Sequence, residues 1–260
     1  MQLKNVLVVH KMGYSGEEKK AVDKLLEVLK KKKILHRFVS RLEVNHEIVK
    51  ARDLIIIVGG DGTFLKVAQY TMDAVPLLCI NADPKNTEGF FSATTGKNIE
   101  KKLDQIQHAK FKPRKIWRLA AKINGVEIEN CTNEYYIGEK KPYDVAKYLL
   151  QVGKKTEPQK SSGILVCTAA GSTAWCRGAG GRVLPMTVQK FQYIVREPYV
   201  GKLVTTKMKK AVLAKNASIS IVAKGEGMIV VADAIGREHE LKKNTRVEIA
   251  LSKKPVLLYY

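Results

Sequence analysis

The sequence has few of the features that mark secreted, membrane-spanning or zinc-binding proteins. Its only four cysteines are Cys79, Cys131, Cys167 and Cys176, and no two of them stand in a C-x-x-C pair. Disulfide frameworks and zinc sites usually show such pairs, so this pattern argues against both and fits a reducing cytosol. No apolar run approaches the ~20 residues of a transmembrane helix, and the opening residues resemble a first strand rather than a signal or transit peptide. We therefore expect a cytoplasmic protein without a membrane partner.

Acidic residues are scarce relative to basic ones. The chain has 46 lysines and arginines against 25 aspartates and glutamates, which gives a net charge of +21. Such a charge fits a nucleic-acid partner, several phosphates of small molecules, or simply a lysine-rich surface. Many lysines fall on a solvated helix face at 19–33, and the chain shows neither an arginine-rich tail nor basic residues interleaved with aromatics. The pattern therefore argues against nucleic acid as the partner.

The first hundred residues alternate short apolar runs with helical patterns. This alternation predicts a parallel sheet whose ligands bind at the carboxyl ends of the strands. A helix at 97–109 closes this part of the chain. The expected strands are Val6–His10, Ile34–Val39, Leu54–Val58 and Val75–Ile80, with a helix at Glu17–Lys32 between the first two.

From about Phe111 the helical periodicity fades, and short β-type runs separated by glycine or asparagine turns take over. This texture predicts an antiparallel all-β domain. The expected fold class is α/β, with a Rossmann-like N-terminal α/β domain containing a parallel sheet at 1–110 and a C-terminal antiparallel β-sandwich domain at 111–260. The runs that support the second domain are 116–123, 126–131, 143–152, 164–168, 217–223, 228–232, 246–250 and 256–260.

A glycine-rich turn, Gly59-Gly60-Asp61-Gly62-Thr63, joins the run Leu54–Val58 to a helical pattern. Its glycines allow the backbone to approach a ligand closely, and a helix N-terminus offers N–H groups and partial positive charge to a phosphate. Asp61 is unexpected in a turn that only binds phosphate, because a carboxylate repels phosphate. Two interpretations stay open: Asp61 takes part in proton removal or metal contact, or Asp61 or Thr63 only caps the helix.

Three segments of the second half carry polar groups beside apolar runs. Asn133-Glu134 offers an amide and a carboxylate that suit ribose hydroxyls or an amide-bearing ring, although such pairs also occur on ordinary surfaces. The stretch 161–181 packs small residues and hydroxyls around Trp175. It suits either a ligand that approaches the backbone or a tight β-turn with Trp175 in the core. Asp233 ends an apolar run and is either a ligand contact or a turn residue.

Three motifs, taken in order, resemble those of NAD kinases. GGDGT alone also occurs in diacylglycerol and sphingosine kinases, whereas the three together are specific. They are GGDGT at 59–63, Asn133-Glu134 and Thr168–Trp175. Features similar to the mitochondrial-type branch of that family are Asn81-Ala82-Asp83-Pro84 and Lys160-Ser161-Ser162-Gly163.

The resemblance implies transfer of a phosphoryl group from ATP to the 2′-hydroxyl of the adenosine ribose of NAD, giving NADP. Asp61 would be the general base that accepts the hydroxyl proton. Phosphoryl transfer depends mostly on positioning and charge neutralisation, so few other catalytic groups are expected. Mg²⁺ would bridge the nucleotide oxygens and be held largely by the substrate.

The resemblance also implies a set of nucleotide-binding residues. Asn133 and Glu134 would bind the ribose and nicotinamide side of the dinucleotide, and Thr173, Ala174 and Trp175 would line its adenine and ribose. Phe90 matches an aromatic residue that contacts adenine. The remaining members of the set are Gly59, Gly60, Gly62, Thr63, Ser162, Thr168, Ser172 and Asp233.

Three positions depart from the family pattern. Ser162 stands where common bacterial members have an Asp that holds nicotinamide, so nicotinamide recognition is expected to differ. Trp175 stands where a Tyr is more frequent, and Gly178 occupies a position that is often a polar ligand contact.

Two other functions remain open. A kinase of the same fold with a nucleoside, sugar or lipid acceptor would keep Asp61 and lose the dinucleotide contacts. A non-catalytic nucleotide- or nucleic-acid-binding protein would not need the intact GGDGT. The sequence does not decide between ATP and polyphosphate, or between NAD and NADH, and the resemblance implies a homodimer or homotetramer.

Overall fold

The computed structural model describes residues 3–11, 13, 16–71, 75–141, 143–201 and 206–260. The chain divides into two compact units. The first unit is Met1–Ile116 together with Pro255–Tyr260, and the second is Trp117–Lys254. Among the described residues, no helix is both long enough and apolar enough to cross a membrane.

The first unit is organised around a mainly parallel sheet. Its strands are β1 Asn5–His10, β2 Leu35–Ser40, β3 Leu54–Val58, β4 Pro76–Asn81, β5 Ser92–Thr95, β6 Arg114–Ile116 and, much later in the chain, β19 Val256–Tyr259. The strand order is β2-β1-β3-β4-β19-β6, with β5 beside β4. Every pair is parallel except β19 with β6. The expected Rossmann-like architecture is confirmed.

Amphipathic helices cover this sheet. They are α1 Gly16–Lys31, α2 His46–Val49, α3 Asp61–Tyr70 and α4 Ile99–Gln107. Leu25 and Leu29 of α1 lie in one core with Ile56 of β3 and Leu103 of α4. All five residues of β3 are buried, as expected for a central strand covered on both faces. This packing holds the end of β3 rigidly, and the glycine-rich turn begins there.

The second unit contains two antiparallel sheets. Its strands are β7 Leu119–Ile123, β8 Val126–Glu127, β9 Glu134–Glu139, β10 Ala146–Val152, β11 Lys155–Ser161, β12 Gly163–Thr168, β13 Lys190–Arg196, β14 Lys210–Ala214, β15 Ser218–Ala223, β16 Met228–Ala232, β17 His239–Leu241 and β18 Arg246–Leu251. One sheet has the order β11-β10-β15-β18-β7-β8, and the other has the order β14-β13-β12-β9-β16-β17. The short helix α5, Trp175–Gly178, follows a 3-10 turn at Ala170–Thr173.

A single apolar core joins the two sheets of the second unit. Alternation along β10 shows how the sequence builds it, because Ala146, Tyr148 and Leu150 are buried while Lys147 and Gln151 are exposed. The same core includes Tyr135, Val166 and Ile221 from other strands. The expected antiparallel β-sandwich is confirmed.

The structure differs from the sequence-based domain limits of 1–110 and 111–260 at both ends of the second unit. The run expected at 116–123 is two strands, of which β6 pairs within the first sheet. The run at 256–260 was expected in the second domain, yet β19 pairs with β4 and β6 of the first sheet. An apolar run predicts a strand but does not indicate which strand it pairs with. The sequence pattern therefore could not assign β19 to the first sheet.

Candidate functional site

The glycine-rich turn lies at the carboxyl end of β3, where its backbone runs into α3. Gly59 is buried with a φ of +153°, and a Cβ there would come within 3.1 Å of the Thr63 hydroxyl and 3.7 Å of the Lys11 Cβ. Gly62 is exposed, and nothing lies within 4 Å of the position a Cβ would take. The Thr63 N–H donates to the Gly60 carbonyl at 3.0 Å, so the N–H groups that the first turn of this ten-residue helix offers to a ligand are those of Asp61 and Gly62.

Neither Asp61 nor Thr63 caps α3. The N-cap residue is Gly60, and no side chain makes a capping hydrogen bond there. The Asp61 carboxylate instead accepts hydrogen bonds from the backbone N–H groups of Phe90 and Phe91, both at 3.1 Å. The carboxylate is partly exposed and held in one orientation, which is the arrangement a general base needs.

The loop that carries Phe90 is fixed by Asn81, at the end of β4. The Asn81 amide donates to the Thr87 carbonyl at 2.9 Å and accepts from the Thr87 hydroxyl at 2.8 Å. Gly89 has a φ of +62°, and a Cβ there would overlap the Asn81 side chain. Phe91 stacks on Phe64 with ring centroids 4.1 Å apart. Phe90 is partly exposed beside Asp61, so its predicted role as a ligand contact stays compatible with its place.

In the second unit, the backbone of Thr132–Glu134 is held from two sides. Asp233 accepts from the N–H groups of Thr132 at 2.9 Å and of Asn133 at 2.6 Å, and its own N–H donates to the Glu134 carbonyl at 2.9 Å. From the other side, the Thr168 hydroxyl donates to the Thr132 carbonyl at 2.5 Å, and the Thr168 N–H donates to the Asn133 carbonyl at 2.8 Å. The main chain here is therefore held by hydrogen bonds from both sides.

The side chains of the same segment lack hydrogen-bond partners. Thr132 Oγ1, Asn133 Oδ1 and Glu134 Oε2 are buried and unpaired within the described part of the chain. Buried polar atoms are nearly always paired, so unpaired ones in a fixed backbone indicate a ligand position. Burial, and secondarily the nearby Asp233, raises the pKa of Glu134 to about 8.

Asp233 contacts the backbone rather than an open space. It follows β16 in the left-handed region, with a φ of +56°, and only 3% of its surface is exposed. Burial raises its pKa to about 6, against the lowering effect of hydrogen bonds from Thr132, Asn133 and Glu134 and of the charge on Arg118. The resemblance implies a ligand contact for Asp233, with a turn residue as the alternative, and in the structure its hydrogen-bond partners come from the protein itself.

The segment 168–175 divides into a buried part and an accessible part. The hydroxyls of Thr168 and Ser172 are buried and bond to neighbouring backbone groups, Thr168 as described and Ser172 to the Ala169 carbonyl at 2.7 Å. Thr173 is partly exposed, and Ala174 and Trp175 are exposed. Of the residues predicted here, these last three are the ones that a ligand can reach directly.

Trp175 belongs to an aromatic–cationic cluster that we define as Trp175, Tyr136 and Arg196. The rings of Tyr136 and Trp175 stack with centroids 5.5 Å apart, and the Arg196 guanidinium carbon lies 4.9 Å from the Trp175 ring. Trp175 is 39% exposed, so it is not the core residue that its composition alone favoured. Ser162 adjoins the cluster, because its N–H donates to the Arg196 carbonyl and its carbonyl accepts from the Tyr136 hydroxyl, both at 3.1 Å.

The sequence patterns did not single out Tyr136, Arg196 and Lys11, and Asn81 stood out only as part of the segment Asn81-Ala82-Asp83-Pro84. Tyr136 and Arg196 reach Trp175 because β9 and β13 flank β12, and that pairing is not written in either segment alone. Lys11 was detectable in principle, because it follows β1 at the sheet edge where ligands of such folds bind. Among the described residues, no group of three or more His, Cys, Asp or Glu side chains could hold a metal ion.

Two protein-family models match this chain. The ATP-NAD kinase N-terminal domain matches residues 3–111, and the ATP-NAD kinase C-terminal domain matches residues 132–260. A curated NADH kinase of Arabidopsis thaliana is 32% identical over 203 residues, which are 69% of this chain and 64% of that protein, so the match spans just under two thirds of the relative. A probable NADH kinase of Oryza sativa subsp. japonica is 27% identical over 92% of this chain and 80% of its own.

Two solved structures share the fold. An NAD kinase from Archaeoglobus fulgidus, in complex with ATP, aligns with a TM-score of 0.81 at 23% identity and covers 98% of this chain and 93% of its own. Yeast NADH kinase complexed with NADH aligns with the same TM-score at 16% identity, over 98% of this chain and 82% of its own. These likenesses support both the parallel-sheet unit and the antiparallel unit.

Proposed function

This chain belongs to the ATP-NAD kinase family, and from that membership we propose that it transfers the γ-phosphoryl group of ATP to the adenosine-ribose 2′-hydroxyl of NAD, giving NADP. The observation that carries the proposal is the Asp61 carboxylate. It stands in an intact GGDGT turn, does not cap the helix, and is oriented by two backbone N–H groups at 3.1 Å.

Each part of the described geometry has a role in this reaction. Asp61 accepts the proton of the 2′-hydroxyl as the hydroxyl oxygen bonds to the γ-phosphorus, while the bond from that phosphorus to the bridging oxygen breaks and ADP leaves. The N–H groups of the first turn of α3 bind phosphate oxygens, and Lys11, whose Cβ would lie 3.7 Å from a Cβ at Gly59, adds a positive charge to the same loop region. Asn133 and Glu134 bind the acceptor dinucleotide, and Trp175 offers a face for stacking. The remaining work is positioning and charge neutralisation, which a fixed backbone supplies without reorganisation.

Mg²⁺ fits this scheme as an ion carried by the nucleotide. The described residues form no cluster that could hold a metal by themselves, whereas Mg²⁺ commonly binds through substrate phosphates and few protein carboxylates. When bound, it would neutralise charge on the transferred phosphate. The residues that act on the phosphates from the protein side are those of the 59–63 turn.

The test is a panel of donors and acceptors with products identified by mass. With ATP, Mg²⁺ and NAD, we expect NADP. Polyphosphate in place of ATP tests the donor. If no NADP forms while a nucleoside, sugar or lipid alcohol is phosphorylated, the chain is a kinase for another acceptor. If nucleotide binds and no acceptor is phosphorylated, the protein is a binding protein.

The Trp175–Tyr136–Arg196 cluster favours NADH as a second acceptor. Ser162 replaces the carboxylate expected to hold the nicotinamide ring, and its N–H bonds to the carbonyl of Arg196, whose guanidinium brings a positive charge to the cluster, with Glu197 3.4 Å away. A positive charge opposes the cationic ring of NAD and tolerates the neutral ring of NADH. The two plant relatives are named NADH kinases, which supports the same proposal.

Arg196→Gln tests this acceptor preference. We expect the ratio of kcat/KM for NAD to that for NADH to rise about tenfold, because one charge near the ring is removed. Arg177→Gln, a change at an exposed arginine of α5, is the control and should leave the ratio unchanged. An unchanged ratio in Arg196→Gln would assign the preference to other residues.

We also propose, from family membership, a homodimer or homotetramer located in the cytoplasm. Light scattering of the purified protein across a concentration series measures the first. Imaging of the tagged full-length protein in its host measures the second.

A further inference from the structure

Asp233 is a buried carboxylate to which the proposed reaction assigns no chemical step. It lies 101 residues from Thr132 in sequence, and its oxygens bond to the N–H groups of Thr132 and Asn133. The return bond from its own N–H to the Glu134 carbonyl, at 2.9 Å, closes the contact. One residue therefore binds three consecutive residues of the segment that carries the unpaired side chains.

The opposite side of that segment leaves no room for adjustment. A Cβ at Gly171 would overlap the Asn133 carbonyl, so the backbone of 171 lies directly against the segment. The Thr168 hydroxyl donates to the Thr132 carbonyl and accepts from the Gly171 N–H at 2.9 Å. It therefore links this segment to the backbone of Gly171. The position of Asn133 and Glu134 is thus set by Asp233 on one side and by Thr168 on the other.

The cost of this arrangement indicates that it is retained for a purpose. Asp233 and Ala234 both have φ values in the left-handed region, +56° and +53°. A non-glycine residue there is strained unless its surroundings hold it. A buried carboxylate also loses its hydration, and here three N–H groups and Arg118 compensate for that loss.

We propose that Asp233 is a positioning residue for the dinucleotide: its carboxylate fixes the main chain at Thr132 and Asn133 so that the Asn133 and Glu134 side chains point at the bound NAD or NADH. This inference rests on the proposed function. It predicts that Asp233 affects binding of the acceptor. It also predicts that Asp233 affects neither ATP binding nor the proton transfer to Asp61.

The first test is Asp233→Asn, measured by calorimetric binding of NAD and of ATP in separate titrations. Asparagine tolerates a positive φ and keeps one acceptor oxygen, so the turn is preserved while the charge is removed. We expect NAD binding to weaken about tenfold or more, because charge-assisted hydrogen bonds are lost, and ATP binding to stay within twofold. In steady-state kinetics, KM for NAD should rise while kcat changes little.

The matched control is Asp53→Asn. Asp53 also accepts bonds from two consecutive backbone N–H groups of a distant segment, Lys4 and Asn5, both at 2.7 Å. It belongs to the first unit, whereas Asn133 belongs to the second. We expect it to lower stability without a change in either binding constant. Circular dichroism and thermal melting establish that each variant is folded.

The second readout is the pH dependence of NAD binding. Glu134 faces Asp233, Cys131 and Cys167, and Asp233 in turn faces Arg118 and Tyr135. Removal of the Asp233 charge leaves Glu134 with one negative neighbour fewer, so the pKa of Glu134 falls. The pH midpoint at which NAD binding changes should therefore move to lower pH in Asp233→Asn. An unmoved midpoint would show that Glu134 does not control NAD binding and would count against the inference.

The outcomes separate this inference from the proposed function. A parent protein that neither binds NAD nor makes NADP would overturn both. A parent that makes NADP, with an Asp233→Asn variant that binds NAD equally well, would overturn the inference alone. If Asp233→Asn does not fold, Thr168→Val decides, because it loosens the same segment from the other side; unchanged NAD binding there would also overturn the inference.

Discussion

In the first unit the side chain proposed as the base is fixed by main-chain N–H groups, whereas in the second unit the main chain is fixed and side-chain atoms are left without partners among the described residues. The Asp61 carboxylate accepts from Phe90 and Phe91. Asn133 Oδ1 and Glu134 Oε2, by contrast, have no protein partner in the described residues. A base must keep one orientation through the reaction, while a binding group must keep its hydrogen-bonding capacity for the ligand. In the first unit, backbone N–H groups bond to a side chain. In the second unit, the hydrogen bonds hold the backbone, and side-chain oxygens stay available to a ligand.

The largest expected effect is at Asp61, and it tests whether the carboxylate that is fixed in the first unit is the base. Asp61→Asn keeps an acceptor oxygen for one of the two N–H groups and loses the proton acceptor, so kcat should fall about 10²- to 10⁴-fold. NAD binding should persist. Steady-state kinetics and calorimetry measure the two quantities, with Asp53→Asn as control. Retained turnover would remove Asp61 as the base.

The next largest effect is expected at Glu134, one of the residues of the second unit whose side chain has an unpaired oxygen. A folded-state pKa of about 8, against the ordinary value of 4.5, means that the folded protein holds a proton that the unfolded chain has released. Stability should therefore decline as pH rises from about 5 to about 8, by up to ~1.4 kcal/mol per pH unit. Glu134→Gln should flatten this decline, apart from the share that Asp233 contributes in the same direction below about 6.

Urea unfolding at a series of pH values measures this difference. Glu248→Gln, at an exposed position of β18, is the matched control and should keep the parental slope. If the parent and Glu134→Gln show the same slope, Glu134 is ionised in the folded protein, and the argument for a neutral, unpaired carboxyl is wrong.

Much of the first region was predictable from sequence, because it is local. Strand, glycine turn and helix are contiguous in the sequence. The GGDGT motif therefore predicted both where the turn lies and that it joins a strand to a helix. The second region is assembled from distant residues: Asp233 meets Thr132 across 101 positions, and Tyr136 and Arg196 meet Trp175 only through strand pairing. Sequence therefore predicted which motifs matter there, but not that Thr168, Ser172 and Asp233 bond to the protein itself. Their role as ligand contacts stays a prediction.

A smaller effect is expected at Trp175, and it would sharpen the comparison by adding a stacking group to the hydrogen-bonding ones. Trp175→Ala should raise KM for the acceptor about tenfold, since a stacking face is worth roughly 1–3 kcal/mol. Trp175→Tyr should restore most of the affinity. Tyr143→Ala removes another exposed aromatic side chain and should have no effect on KM. Equal KM values for all three variants would exclude a platform role.

The smallest effect concerns the loop that orients Asp61. Gly89→Ala and Gly125→Ala both place a side chain at a positive φ, +62° and +87°, but only the first overlaps a neighbour, Asn81. We expect Gly89→Ala to cost about 1 kcal/mol more in unfolding free energy and to lower kcat severalfold through displacement of Phe90. Chemical unfolding and kinetics of the two variants measure this. Equal behaviour would show that the loop accommodates the overlap.

The place of β19 has a consequence for how the protein is made. The second unit leaves the first sheet after β6 and returns to it at β19, which pairs antiparallel with β6. Its entry and exit segments also touch, since the Ser252 N–H donates to the Arg118 carbonyl at 2.9 Å. The second unit is thus an insertion in the chain between β6 and β19, which are neighbouring strands of the first sheet. On the ribosome, β4 can pair with β3 and β5 early, but the start of β4 lacks its second neighbour until residue 259 has emerged. The unit whose synthesis begins later is therefore the first whose sheets can be completed.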